Sequence, residues 1–235
     1  MNRLLGVALT ALLLASSSAF AGNPAGLADN IRYLSIGDSF AAGKGAIPNT
    51  QGFAYLLYQN GTFGSISNVT FNQAAMGGTT SADVLAHQVP QVKRFKPHVI
   101  TLYVGGNDLQ RILRGEPANV VLQEFLSNMT GILCTLKKEM LSQGIEGMII
   151  VGNQPDFPWL SASNPEVRQL IILANGLLAE VAQACDARVA DVFSAFRGQE
   201  AYYLHYREGA DPNEPHPTNA GYRAMAKAFE DAANR

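Results

Sequence analysis

Apolar positions along the chain switch repeatedly between a strand-like period of two and a helix-like period near 3.6. Ile31 to Ile36 reads as a strand that stops at Gly37-Asp38-Ser39, and an aromatic-rich stretch from Phe53 to Tyr58 reads as a helix. A short strand covers Val69 to Phe71. The spacing predicts a helix from Ser81 to Phe95, interrupted at Pro90, which removes a backbone donor. His98 to Val104 is almost continuously apolar, as a strand buried on both faces must be, and ends at Gly105-Gly106-Asn107-Asp108.

The second half continues the alternation. Leu122, Phe125, Leu126, Met129, Leu133, Leu136 and Met140 form one helical stripe that starts near Pro117 and stops at Gly144. Gly147 to Val151 is a fourth strand, and Asn164-Pro165 supplies a cap and a first-turn proline for the next helix. The stripe of that helix is Val167, Leu170, Ile171, Ala174, Leu178, Val181, Ala182 and Cys185. Arg188 to Val192 is a fifth strand, and a last helix after Pro217 turns Tyr222, Met225 and Phe229 inward. Strands alternating with amphipathic helices predict βαβ crossovers and an open, doubly wound α/β fold around a five-stranded parallel sheet. In such sheets chemistry gathers beyond the carboxyl ends of the strands.

Composition removes several function classes. Hydrophobic residues make up 47% and charged residues 15%, which excludes a disordered chain. Seventeen basic against nineteen acidic residues give a formal charge of −2, with no basic footprint for nucleic acid. Beyond the N-terminus no apolar run is long enough to span a bilayer. At the N-terminus, Arg3, the apolar stretch Leu4 to Ala15 and Ala19-Phe20-Ala21 fit a cleaved signal peptide over residues 1–21, with one domain over 22–235. A membrane anchor fits less well, because the apolar core is short and no basic stop-transfer cluster follows. The expected product is exported, to a periplasm or the medium. Cys134 and Cys185 are either a disulfide, which such a compartment permits, or two buried small side chains. No CxxC and no Cys/His spacing predicts a metal site.

Several strand ends carry reactive side chains. Ser39 follows the first strand directly and needs a positioned base to become a nucleophile; otherwise it is a helix cap. The segment Gly37 to Lys44 imitates a phosphate loop, but five residues rather than four separate Gly37 from Gly43, and Gly45 follows the lysine. Asn72 to Gly78 ends the second strand, with glycines that let a backbone N–H approach a ligand. Asn107, after two glycines, offers an amide to a developing oxyanion or serves as a turn residue. Of four histidines, His87 and His98 lie in structural or surface settings and His205 sits in an aromatic segment. His216, between Pro215 and Pro217, has the rigidity a general base needs. Pro155, Phe157, Trp159 and Leu160 form either an apolar rim for an acyl chain or a packed loop.

Together these blocks resemble the SGNH (GDSL) hydrolase family of serine esterases and lipases. They are Ile36 to Gly43, Asn72 through Gly77-Gly78-Thr79-Thr80, Val104 to Asp108, and His216-Pro217-Thr218-Asn219-Ala220-Gly221-Tyr222, in order over the chain from Gly22 onward. The resemblance implies a three-layer α/β/α, flavodoxin-like fold, with Ser39 as nucleophile and His216 as base. It implies an oxyanion hole from the Ser39 and Gly77 backbone N–H groups and the Asn107 side chain, and neither cofactor nor metal. The substrate it implies is a small-molecule or lipid carboxylic ester. A carbohydrate or other O-acetyl ester is the alternative within the fold, and a catalytically impaired binding protein the alternative outside catalysis. One position departs from the pattern: the family places aspartate three residues before the histidine, where this chain has Asn213. Asp211, Asn213 itself or a backbone carbonyl is left to orient the imidazole.

Overall fold

The computed structural model describes residues 30–205 and 215–235. The expected signal peptide, Asp211 and Asn213 lie outside the described residues. In chain order the elements are β1 (Ile31–Gly37), α1 (Phe53–Gln59), β2 (Val69–Gln73), α2 (Ser81–Asp83), α3 (Gln91–Phe95) and β3 (Val99–Tyr103). There follow α4 (Gly106–Leu113), α5 (Ala118–Ser142), β4 (Met148–Gly152), α6 (Pro158–Ser163), α7 (Pro165–Ala184) and β5 (Arg188–Ala190). The chain ends with α8 (Val192–Phe196), α9 (Glu200–Tyr203) and α10 (Asn219–Ala233).

The five strands pair in parallel in the order β2-β1-β3-β4-β5, the flavodoxin-like winding. Alternate side chains along each strand supply two separate cores. Tyr33, Tyr103 and Ile150 join Phe53, Phe196, Tyr222 and Phe229 on the face covered by α1, α8 and α10. Leu34, Ile36, Ile100, Leu102, Ile149 and Val151 join Val84, Phe125, Met129, Leu133 and Leu178 on the face covered by α5 and α7. Burial on both faces is why β3 reads as an unbroken apolar run. The three-layer α/β/α architecture follows directly.

Local differences from the sequence reading have local causes. β3 begins at Val99, one residue after His98, whose N–H donates to Arg32 O at 2.8 Å, whose carbonyl accepts from Met148 N–H at 2.9 Å and whose ring Nδ1 accepts from the Arg32 backbone N–H at 3.0 Å. β5 stops at Ala190, because Asp191 caps α8 by accepting from the Ser194 N–H at 3.1 Å, so Val192 opens a helix. The stretch after Ser81 is not one interrupted helix. α2 runs into a π-helical turn over Val84–Gln88, and α3 starts after Pro90. Asn107 and Asp108 belong to a two-turn helix, α4, rather than a turn. Cys134 and Cys185 form a disulfide, Cα to Cα 4.7 Å, tying α5 to the end of α7.

Candidate active site

Register places the ends of β1 and β3 level, with Gly37 opposite Tyr103. Gly37 has φ +133°, and a Cβ there would overlap the Tyr103 carbonyl oxygen, so only glycine lets the chain leave the sheet here. The buried Gln88 amide clamps this residue from both sides, Oε1 accepting from the Gly37 N–H at 2.7 Å and Nε2 donating to its carbonyl at 2.9 Å. Asp38 N–H then donates to Tyr103 O at 2.9 Å, and a tight turn follows in which Ala42 N–H bonds Asp38 O and Lys44 N–H bonds Ser39 O. Ser39 emerges half-buried at the sheet edge.

His216 Nε2 lies 2.8 Å from Ser39 Oγ, and the histidine is 6% exposed. Its backbone is held in a short ladder. His205 N–H donates to His216 O at 2.9 Å, Thr218 N–H donates to Tyr203 O at 2.8 Å, and Leu204 bridges Pro217. His205 Nε2 is 2.8 Å from Gly45 O; a carbonyl only accepts, so that ring nitrogen carries the proton. Gly45 has φ +91°, and a Cβ there would stand 2.9 Å from His216 Cβ. Phe40, stacked on Tyr103 at 5.3 Å, packs beside the His216 ring at 5.7 Å.

The loop after β2 supplies the opposite wall. Met76 N–H donates to Gly37 O at 3.0 Å, and a Cβ at Gly77 would stand 3.7 Å from Ser39 Cβ. Asn107 Nδ2 donates to Thr79 O at 2.8 Å, which joins α4 to this loop. Two buried carboxyls brace the arrangement. Asp38 accepts from Phe40 N–H at 2.9 Å and also from Gly106 N–H, linking the serine turn to the start of α4. Burial, opposed by those amide bonds and reinforced by nearby Asp108, pushes the Asp38 carboxyl up to about 7. Asp108 accepts from Ser81 N–H at 2.9 Å and Ser81 Oγ at 2.6 Å, while Asn128 Nδ2 donates to Ser81 Oγ at 3.0 Å. Burial raises Asp108 as well, against its Ser81 bonds.

The predicted residues thus fall into two groups. Ser39 and His216 are in direct contact, Gly77 abuts Ser39, and Asn107 reaches the same loop two residues beyond Gly77. Asp211 and Asn213 lie outside the described residues. The loop after β4 is packed rather than open: Phe157 is buried, and Trp159 and Leu160 join the apolar cluster that contains Phe40 and Tyr103. Sequence reasoning missed Gln88, the bracing by Asp38 and Asp108, and the carbonyl of Thr79. An apolar cavity of about 50 Å³ also lies beneath α4, against Leu109, Ile112, Phe125 and Leu170. Leu109 and Asn107 are two residues apart on that helix and so point to opposite sides. Among the described residues no three His, Cys, Asp or Glu side chains converge as metal ligands.

A hydroxyl at the carboxyl edge of a parallel sheet, bonded to a histidine and beside a glycine loop, is the arrangement of an α/β serine hydrolase. Residues 35–224 match the GDSL-like lipase/acylhydrolase family, and the chain belongs to that family of hydrolases. Among solved structures, a lipase from a goat rumen metagenome is 21% identical, with TM-score 0.67, over 86% of this chain and 97% of that one. Phospholipase A1 from Streptomyces albidoflavus is 18% identical, with TM-score 0.64, over 86% and 98%. An acetylxylan esterase from Geobacillus stearothermophilus is 19% identical, with TM-score 0.62, over 86% and 94%. At these identities the likeness is one of fold. No curated protein matches the chain.

Proposed function

We propose that the protein is an exported serine esterase that cleaves carboxylic esters through an acyl-enzyme on Ser39. The observation that carries this reading is the 2.8 Å hydrogen bond between Ser39 Oγ and His216 Nε2. In the first half-reaction His216 Nε2 takes the hydroxyl proton as Oγ attacks the ester carbonyl. The resulting oxyanion accepts from the Ser39 and Gly77 N–H groups and from Asn107 Nδ2. Collapse expels the alcohol, which takes the proton back from His216. Water then repeats the sequence against the acyl-enzyme and releases the acid. The direct Ser39–His216 contact favours a working enzyme over an impaired binding protein. The Cys134–Cys185 disulfide supports export to an oxidising compartment after cleavage behind Ala21.

The test is covalent and kinetic together. A fluorophosphonate probe labels Ser39, located by peptide mass spectrometry, and the protein hydrolyses p-nitrophenyl esters between acetyl and palmitoyl. Ser39→Ala loses both label and turnover with an unchanged far-UV circular dichroism spectrum. Label on another residue, or near-wild-type turnover in Ser39→Ala, overturns the mechanism.

A further inference from the structure

Along β1 the backbone polar groups of successive residues face alternate neighbours, as a strand paired on both sides requires. Ser35 faces β2: it stands opposite Gln73, and its carbonyl accepts from Ala74 N–H at 2.9 Å. Asp38 faces β3 through its bond to Tyr103 O. Gly37 therefore faces the β2 side, but β2 ends at Gln73 and the chain departs into the loop that carries Gly77. A side chain takes the place of the strand. Gln88 Oε1 accepts from Gly37 N–H at 2.7 Å and Gln88 Nε2 donates to Gly37 O at 2.9 Å, so one amide does what the next residues of β2 would have done.

Gln88 is 3% exposed and commits both ends of its amide to this one residue. It closes the turn over Val84–Gln88, in which Val89 N–H reaches back five residues to Val84 O at 3.0 Å. Such π-helical turns are rare and recur at functional sites. Gly37 O also gathers the loop beyond β2: it accepts from Met76 N–H at 3.0 Å and lies 3.0 Å from Thr79 Oγ1, which is 2.8 Å from Met76 O as well. Gly37 stands two residues before Ser39, Met76 stands one before Gly77, and Thr79 O holds Asn107 Nδ2. Turning the Gly37 backbone thus shifts Ser39 and the Gly77 loop relative to each other. A misplacement of about 1 Å in an active site costs up to about 10²-fold in rate.

We propose that Gln88, seconded by the Thr79 hydroxyl, is a positioning residue for acyl transfer. Standing in for β2, it fixes the Gly37 backbone and through it the spacing between Ser39 and the Gly77 loop. It acts through Gly37 and takes no part in the bond-making itself. The proposal rests on the esterase reading, and its test separates the two. Gln88→Met keeps the length of the side chain and removes both hydrogen bonds. Asn175→Leu is the control, because Asn175 holds Gln154 with the same double bond pattern beyond the end of β4. There Oδ1 accepts from Gln154 N–H at 2.9 Å and Nδ2 donates to Gln154 O at 2.8 Å.

Each protein is labelled to completion with a fluorophosphonate, and intact mass gives the fraction of chains with a reactive serine. On p-nitrophenyl butyrate, kcat per labelled chain is expected to fall about tenfold or more in Gln88→Met, with KM within about twofold of wild type. Asn175→Leu keeps the wild-type kcat per labelled chain, whatever it loses in thermal midpoint. Unchanged kcat per labelled chain in Gln88→Met, even with a lowered midpoint, assigns Gln88 to folding alone and overturns the proposal. A rise in KM in place of the fall in kcat, or an equal fall in Asn175→Leu, overturns it too. If Gln88→Met does not fold, the Thr79 hydroxyl decides: Thr79→Val loses about threefold in kcat per labelled chain and Thr79→Ser regains it. Equal rates in those two variants overturn the proposal. If the wild type neither labels nor turns over, the esterase reading fails and the proposal falls with it. An active wild type beside an equally active Gln88→Met leaves the esterase reading standing and removes only Gln88.

Discussion

Asn107 carries two N–H groups on one nitrogen, and one of them is committed to Thr79 O at 2.8 Å. That bond fixes which end of the amide is the donor and holds it without reorganisation, the condition under which a donor to a developing oxyanion is most effective. Asn107→Ala is expected to lose roughly 10²–10³ in kcat with little change in KM, because the interaction is made in the transition state. Stopped-flow and steady-state assays on a p-nitrophenyl ester check this, and an unchanged kcat removes Asn107 from the hole. Asn107, Ser39 and His216 could be singled out in the sequence because each stands at a strand end or between prolines. A cap role competed at Ser39 and a turn role at Asn107, and only the four blocks read together as a resemblance gave them catalytic roles. Gln88 could not be singled out. Its amide clamps Gly37 across 51 positions, and it reaches there only through the π-helical turn over Val84–Gln88, which no spacing rule announces.

Elements show the same division between pattern and packing. The stripes of α5 and α7 were readable from apolar spacing, and the Asn164 cap with Pro165 fixed where α7 begins. Which faces of the two helices meet is a tertiary fact, so the pairing of Cys134 with Cys185 could be recognised only once the Cα atoms stood 4.7 Å apart. The short helix α4 was hidden for the opposite reason: two glycines and an Asn-Asp pair are turn chemistry. Here Asp108 spends its carboxylate on Ser81, and Gly106 donates to Asp38, so the segment coils instead. The disulfide closes a loop with a sequence separation of 51, and constraining the unfolded chain to that extent is worth about 2–4 kcal/mol. Cys134→Ala/Cys185→Ala is expected to lower the unfolding free energy by that amount in urea titrations, with the Ser39–His216 pair still active. An unchanged midpoint contradicts a stabilising bond.

At the scale of the whole molecule, the site is where the ends of β1, β2 and β3 meet the segment before α10, and its buried carboxyls couple it to global stability. Asp38 touches Phe40 and Gly106 N–H groups from two strand ends, and burial holds its carboxyl up at about 7 against an ordinary 3.8. A raised carboxyl means that between about pH 4 and 7 the folded protein keeps a proton that the unfolded chain has already released. The stabilisation from that proton is complete below about pH 4 and is lost as pH rises through about 7, with a slope of at most about 1.4 kcal/mol per pH unit. Asp38→Asn abolishes this term and leaves the Asp108–Ser81 bonds in place. Asp108 is raised first by its own burial and slopes the same way in both proteins, so that part cancels in the comparison. The part that comes from its coupling to Asp38 is removed together with Asp38. Urea unfolding at unit intervals from pH 4 to 8 is therefore expected to show wild-type stability falling relative to Asp38→Asn up to about pH 7, then running parallel. Curves parallel throughout would mean that Asp38 stays ionised in the folded protein, held by its amide donors despite burial.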